Sequence, residues 1–305
     1  MTATLPAKGR TLPHATNAPL ESADLGRLLI RCPDQAGIVA AVSTFLTGAG
    51  ANIVSLEQHT TEPLGGSFFQ RTEFHLPGLS AARDGLQQAF AEEIAGRFDM
   101  EFTISEAAKP KRVAIMVSKT DHCVLDLLWR NRRGELDMSV VMVISNHSDL
   151  ADQVRPFGVP YFHIPATRDN RAEAELRILD LLRGNADLVV LARYMQIITP
   201  EFLSEVGCPL INIHHSFLPA FIGAGPYQKA KDRGVKLVGA TAHYVTADLD
   251  EGPIIEQDVV RVDHRHSASD LVRLGADVER AVLSRAVRWH CEDRVARHGN
   301  TTIVF

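Results

Sequence analysis

Between Leu25 and Ser105 the apolar positions change period repeatedly, and each change marks an element. Leu28 to Cys32 is an apolar run closed by the Pro33-Asp34 turn, which predicts a strand. Ile38, Val42, Phe45 and Leu46 then recur at helical spacing until Gly48-Ala49-Gly50 breaks the pattern. Ile53 to His59 and Phe68 to His75 read as antiparallel strands joined through a turn holding Pro63, Gly65 and Gly66. A helix over 81–97 and a strand from Met100 to Ser105 complete a ferredoxin-like βαββαβ unit.

After the polar connector Ala107, Ala108, Lys109 and Pro110 the pattern changes. Val113 to Val117, Val140 to Ile144, Leu188 to Leu191 and Leu210 to Ile213 are continuous apolar runs, the mark of strands buried on both faces of a parallel sheet. Helical segments over 123–133, 150–157 and 171–183 intervene, and a long one over 269–295 carries Leu271, Leu274, Val278, Val282 and Trp289 on a stripe that predicts packing against the sheet. Alternation of this kind predicts an α/β fold: a Rossmann-like, open and mostly parallel sheet with ligands beyond the carboxyl ends of its strands. The expected organisation is a flexible tail over 1–24, a first domain over 25–107 and a second over 111–305. Lys8, Arg10 and the absence of acids from residues 1–20 give that stretch a faint likeness to a transit peptide, but Pro6, Pro13 and Pro19 interrupt any amphipathic helix there.

Composition narrows the partners. Lys+Arg number 32 against 37 Asp+Glu, a net charge of -5 without the basic excess that binding a phosphate backbone requires, so nucleic acid is not expected. No apolar run approaches the about 20 residues of a membrane span, so no membrane partner is expected either. Cys32, Cys123, Cys208 and Cys291 are dispersed without a CxxC pair, which predicts free thiols in a reducing cytoplasm. His264-Arg265-His266 is the closest approach to a metal-binding spacing but lacks a third ligand nearby, so no metal is expected.

Polar groups arise abruptly where the buried strand Leu210 to Ile213 ends, in Asn212-Ile213-His214-His215-Ser216. Strand alternation puts Asn212 and His214 on one side and His215 on the other. After the strand Val238 to Val245 comes an acidic loop, Asp248-Leu249-Asp250-Glu251-Gly252-Pro253, which taken alone reads as a solvated turn. Together the two clusters supply an amide donor, an imidazole and a carboxylate, the set that stabilises an oxyanion and moves a proton during attack on a carbonyl.

The stretches INIHHSFLPAFIGAGPYQKA and GATAHYVTADLDEGPIIEQDVVRV resemble the formyltransferase family that handles 10-formyltetrahydrofolate, and CPDQAGIVAAVSTFL resembles the first strand-to-helix turn of an ACT domain. The pairing of the two is similar to the hydrolytic branch of that family, and the likeness covers nearly the whole chain. It implies Asn212, His214 and Asp250 as a catalytic trio; Met195, Gln196, Ile197 and Ile198 of ARYMQIIT as one wall of the folate pocket; and Thr246, Ala247 and Asp248 as the other. Asp34 and Gly37 are implied as an amino-acid effector site, although Asp34 could simply cap the helix and Gly37 relax it. ACT domains associate side by side, which implies a homo-oligomer.

Family members that formylate a phosphorylated amine carry a glycine-rich loop after their first strand, whereas this chain has Ser118-Lys119-Thr120-Asp121-His122-Cys123, where Asp121 would repel phosphate. Water is therefore the expected acceptor, with no cofactor and 10-formyltetrahydrofolate as substrate. Transfer to an unphosphorylated amine, or a non-catalytic folate or amino-acid sensor, are the alternatives. Asp250 is expected to orient the water and take its proton if a partly dry site raises its pKa, with the division of labour between it and His214 open. Gly225, Gln228 and Lys229 depart from the family's GANPYHQA-like run.

Overall fold

The computed structural model describes residues 22–62, 64–167, 169–219 and 226–305. Most of the expected tail, Pro63 of the hairpin turn, and Gly223, Ala224 and Gly225 of the glycine-bearing turn lie outside the described residues.

The first unit runs β1 (Leu25–Pro33), α1 (Ile38–Gly48), β2 (Asn52–Thr60), β3 (Ser67–His75), α2 (Leu79–Phe90), a π-helical turn over Ala91–Ala95, α3 (Gly96–Phe98) and β4 (Glu101–Glu106). Its strands pair antiparallel in the order β2-β3-β1-β4. Ile38, Val42 and Leu46 from α1 join Leu79, Leu86 and Phe90 from α2 in burying one sheet face, so the helical spacing seen in sequence is the core face. β1 is longer than its apolar run because its whole length pairs with β3, from Leu25 opposite His75 to Pro33 opposite Ser67.

The other sheet face is not left to solvent. Phe69 meets the His298 ring edge-on at 5.4 Å, and the buried Arg71 guanidinium donates to the carbonyls of Asp293 (3.1 Å) and Glu292 (3.0 Å). Asp293 also accepts from Ser105 Oγ and Lys111 Nζ, both at 2.6 Å, and so ties the two sheets together.

The second unit comprises β5 (Lys111–Val117), α4 (His122–Arg132), β6 (Met138–Ser145), α5 (Ala151–Val154), β7 (Tyr161–His163), α6 (Arg171–Leu182), β8 (Leu188–Leu191), α7 (Pro200–Glu205), β9 (Leu210–His214), α8 (Pro226–Arg233), β10 (Leu237–Tyr244), β11 (Ile254–Arg261), α9 (Ala268–Cys291), β12 (Val295–His298) and β13 (Thr301–Val304). Its seven-stranded sheet has the order β11-β10-β9-β8-β5-β6-β7, parallel from β7 through β9, with β10 and β11 antiparallel at one edge. The chain winds outward from β5 through β6 to β7, then restarts on the other side at β8. The switch between β5 and β8 opens a crevice at their carboxyl ends, where an open sheet holds its ligands. Val113, Ile115 and Val117 pack toward α4 and α9 while Ala114 and Met116 pack toward α6, which is why these runs are apolar at every position.

The long helix covers its whole apolar stripe but ends before the expected 295. α9 begins in a capping box, Ser267 with Asp270, and ends at Cys291, after which Asp293 turns in the left-handed region (φ 53) into the β12-β13 hairpin. Near that end His290 Nδ1 lies 2.8 Å from Tyr244 Oη, and burial, reinforced by Lys111, pushes its imidazole down to about 4. The unfolded chain therefore binds that proton more readily than the native one, so the stability contribution is complete above the ordinary histidine value and is lost as pH falls toward 4. Denaturant unfolding of the parent protein is expected to lose about 1–2 kcal/mol more between about pH 7.5 and pH 5 than that of His290→Asn. Equal pH slopes for the two proteins would remove His290 as the cause.

Candidate active site

β9 delivers Asn212 and His214 to the crevice. Asn212 is half-buried and His214 is 7% exposed, because the strand ends there between β8 and β10. Asp250 reaches them from the loop after β10. Its backbone is left-handed (φ 58), a conformation Asp tolerates better than most residues, and Gly252 lets the turn lie against the Tyr244 carbonyl where a Cβ would collide. His214 Nδ1 lies 3.2 Å from Asp250 Oδ2. A carboxylate can only accept, so Nδ1 carries the proton and Nε2 is the ring atom turned elsewhere. That Nε2 is buried and has no hydrogen-bond partner.

A fourth residue, His243 on β10, completes the arrangement. Its Nδ1 lies 2.9 Å from the Tyr244 carbonyl, which can only accept, so Nδ1 is the protonated nitrogen. Its Nε2 lies 3.2 Å from Asn212 Nδ2 and 3.7 Å from Asp250 Oδ1, the second too long for a hydrogen bond. The Asn212 amide thus spends one N–H on His243 and keeps the other free. Sequence does not single out His243, because in the buried strand GATAHY it reads, like Thr241, as a polar side chain satisfied within the core.

The expectation of a raised Asp250 pKa does not hold. The hydrogen bond that it accepts from His214 outweighs burial and keeps its carboxyl well below the usual carboxylate range. Asp250 is a fixed anion, which suits it to balance charge on His214 and not to take up a proton.

All of Met195 to Ile198, Thr246 to Asp248, Asn212, His214 and Asp250 line one cavity of about 420 Å³. Loop 193–198 is anchored at both ends. Met195 N donates to Ser118 Oγ (3.0 Å), and Thr199 caps α7 while its hydroxyl donates to Glu175 (2.6 Å). Met195 and Ile197 are 57% and 53% exposed, an apolar rim suited to a flat ring.

Behind the trio lies a second polar group. Glu279 on α9 is 2% exposed, accepts from Tyr227 Oη at 2.8 Å, and lies 2.9 Å from His122 Nε2. Burial pushes its carboxyl up, but His122, Arg193 and Tyr227 together hold it below the usual value. His122, the first residue of α4, belongs to this group. His122, Cys123 and Glu279 place ligand atoms within 4.8 Å of one another, yet burial keeps the Cys123 thiol protonated and the Arg193 cation stands 3.5 Å from the carboxylate, a poor setting for a cation. His266 Nδ1 sits 3.0 Å from Asp263 in an exposed turn and serves that turn. His215, which alternation places on the opposite side, lines the same cavity as the trio with its ring 5.2 Å from that of His214, because the strand ends at His214; burial, then Arg193, push its imidazole down to about 4, so it stays neutral. Gln228 and Lys229 are exposed on α8, with Gln228 bonded to Asp232 at 2.8 Å, so neither departure reaches the cavity; Gly225 lies outside the described residues. Asp34 does not cap α1: its carboxylate accepts from Thr60 Oγ1 at 2.8 Å, and Gly37, at φ 96, occupies the N-cap position. Gly37 borders a groove of about 1060 Å³ between α1 and α2 that Asp34 does not line.

An antiparallel βαββαβ unit joined to a switch-point sheet with an amide, imidazole and carboxylate at its crevice defines a two-domain acyl-handling protein. Residues 26–82 match the ACT domain model and residues 111–287 the formyl transferase model, and the chain belongs to the formyl transferase family. Formyltetrahydrofolate deformylases are among the relatives that align along more than nine-tenths of the chain. The one from Mycobacterium tuberculosis is 72% identical over 93% of this chain and 91% of its own length. The crystal structure of the one from Pseudomonas syringae superposes with a TM-score of 0.88 at 48% identity, over 92% of this chain and 94% of that one. Glycinamide ribonucleotide transformylase 1 from Symbiobacterium toebii covers 64% of this chain and 94% of its own, with a TM-score of 0.61 at 31% identity.

Proposed function

We propose that this protein hydrolyses 10-formyltetrahydrofolate to tetrahydrofolate and formate, balancing the one-carbon folate pool and supplying formate for purine biosynthesis. The convergence of Asn212, His214 and Asp250 on one cavity carries the reading. Water adds to the formyl carbon beside His214 Nε2, which takes the proton while Asp250 balances the imidazolium. The free Asn212 N–H donates to the oxyanion. His214 then returns the proton to the departing nitrogen, the C–N bond breaks, and tetrahydrofolate leaves with formic acid as the other product. Loops 195–198 and 246–248 hold the pterin through their backbone groups.

The test is incubation with 10-formyltetrahydrofolate in water and no other substrate. Formate is expected in amounts equal to tetrahydrofolate, at a rate that a strong chelator leaves unchanged. Loss of activity that zinc restores would overturn the metal-free route, and a formylated amine as the only product would make the protein a transferase.

Residues 25–107 act in this reading as a regulatory domain and 111–305 as the catalytic one, in a cytoplasmic homo-oligomer assembled through its ACT sheets. The effector is a small amino acid whose carboxylate meets the backbone amides at Gly37, with Asp34 shaping the turn through Thr60. The joint at Asp293 and Arg71 gives the effector a rigid route to the second sheet, and any effect on folate affinity must be reciprocal.

A further inference from the structure

Arg193, two residues past the β8 end, has a left-handed conformation (φ 64), with its carbonyl accepting from Ser118 N at 3.3 Å. A long side chain rarely adopts this backbone, and such positions gather where a side chain must be aimed. The turn sends the guanidinium toward Glu279 on α9, whose oxygens are already engaged by His122 and Tyr227. Tyr227 gets there because Gly275 leaves room: a Cβ at 275 would collide with its hydroxyl. Glu279 is thus a fixed counter-charge, and Arg193 is steered by it without being consumed. Arg193 Nε stands 3.5 Å from Glu279 Oε2, an ionic contact but not a hydrogen bond between buried atoms, and Nε and Nη1 are both buried and unpartnered.

Buried polar atoms without partners are rare and costly, and a cavity bordered by two side chains that carry them is one that a polar ligand completes. The second is His214, more than nine-tenths buried, whose Nε2 has no partner and which lines the same cavity as Arg193. A guanidinium and, once Nε2 takes a proton, an imidazolium bordering the same cavity match a carboxylate in charge and in its two oxygens. The folate itself is placed against the apolar loops, which leaves the space beyond His214 for the small fragment.

We propose that Arg193, held by Glu279, forms with His214 Nε2 a carboxylate subsite that receives the formate product. This rests on the hydrolytic reading. When the C–N bond breaks the fragment is formic acid. Its proton passes to His214 Nε2, and the formate so generated is held between imidazolium and guanidinium until it leaves. The subsite separates product from the departing nitrogen and so opposes the reverse reaction.

Binding of ¹³C-formate, followed by saturation-transfer NMR, tests the subsite without turnover. The parent protein is expected to bind formate, Arg193→Gln to bind it at least about tenfold more weakly, and Arg193→Lys to fall between, since lysine keeps the charge but not the fork. Affinities for tetrahydrofolate and for tetrahydropteroate, which lacks the glutamate, are expected to stay within about twofold in each variant. If glutamine at 193 leaves Glu279 as an unpaired buried charge and the chain fails to fold, the R193Q/E279Q protein removes both charges and takes its place. Formate binding that survives Arg193→Gln overturns the proposal, as does a parent protein that releases formate on turnover yet never binds it. Loss of tetrahydrofolate affinity with tetrahydropteroate affinity intact would assign the guanidinium to the glutamate tail instead. A protein that binds formate but produces none would overturn the hydrolytic reading alone.

Discussion

Asp250→Asn is expected to lower kcat by about 10³-fold while folate affinity changes little, because a neutral amide cannot balance the imidazolium that forms on His214. The substitution suits the question. Asparagine accepts the left-handed backbone at position 250 as readily as aspartate, so the turn secured by Gly252 should keep its shape. The amide oxygen can still accept from His214 Nδ1, so the ring keeps its orientation and only the charge is lost. Since His214 and Asp250 act as one unit, replacing both should cost little more than replacing either. The native carboxyl is held well below the ordinary range, so the acid limb of the parent's pH-rate profile cannot come from protonating Asp250 within the pH range where ordinary carboxylates titrate. Single-turnover kinetics with tetrahydrofolate affinity measured in parallel checks the prediction. An Asp250→Asn protein retaining a tenth or more of the parent kcat would remove Asp250 from the reaction.

What was legible in sequence follows from what is local. A strand buried on both faces has no reason to end in Asn-x-His-His-Ser unless those groups meet something polar, and period two places Asn212 and His214 together without further information. The parallel strands β5, β6, β8 and β9 were legible for the same reason, since burial on both faces leaves continuous apolar runs. Asp250 was harder: an acidic loop looks like any solvated turn, and only the family likeness singled out one carboxylate. Its low pKa leaves no trace in sequence because the His214 hydrogen bond that sets it joins the end of β9 to the loop after β10. Arg193, Tyr227 and Glu279 come from three distant segments and meet only once α9 has packed on the sheet. The β12-β13 hairpin escaped because its four-residue strands are too short for alternation to register, and its place is set by the sheet face carrying Phe69 and Arg71.

Asn212→Asp is expected to cost more than Asn212→Ala, with the alanine variant losing about 10²- to 10³-fold in kcat/KM. Alanine removes one preorganised donor and leaves His243 Nε2 without its partner, and a water can occupy the vacated space and donate in the amide's place. Aspartate fills the amide's volume, so no water enters. It offers acceptors where the oxyanion needs a donor, and it brings a second negative charge toward Asp250, which lies only 3.7 Å from the same His243 nitrogen. Two carboxylates so placed cannot both stay ionised at no cost, so the variant should also take up a proton near neutral pH and recover part of its rate as the pH is lowered. The alanine variant has no such group and should show no recovery. The pair therefore separates two roles for Asn212: if it only spaces β9 from β10, the isosteric aspartate should be the milder change, whereas if its free N–H meets the oxyanion, aspartate must be the more damaging and its loss must depend on pH.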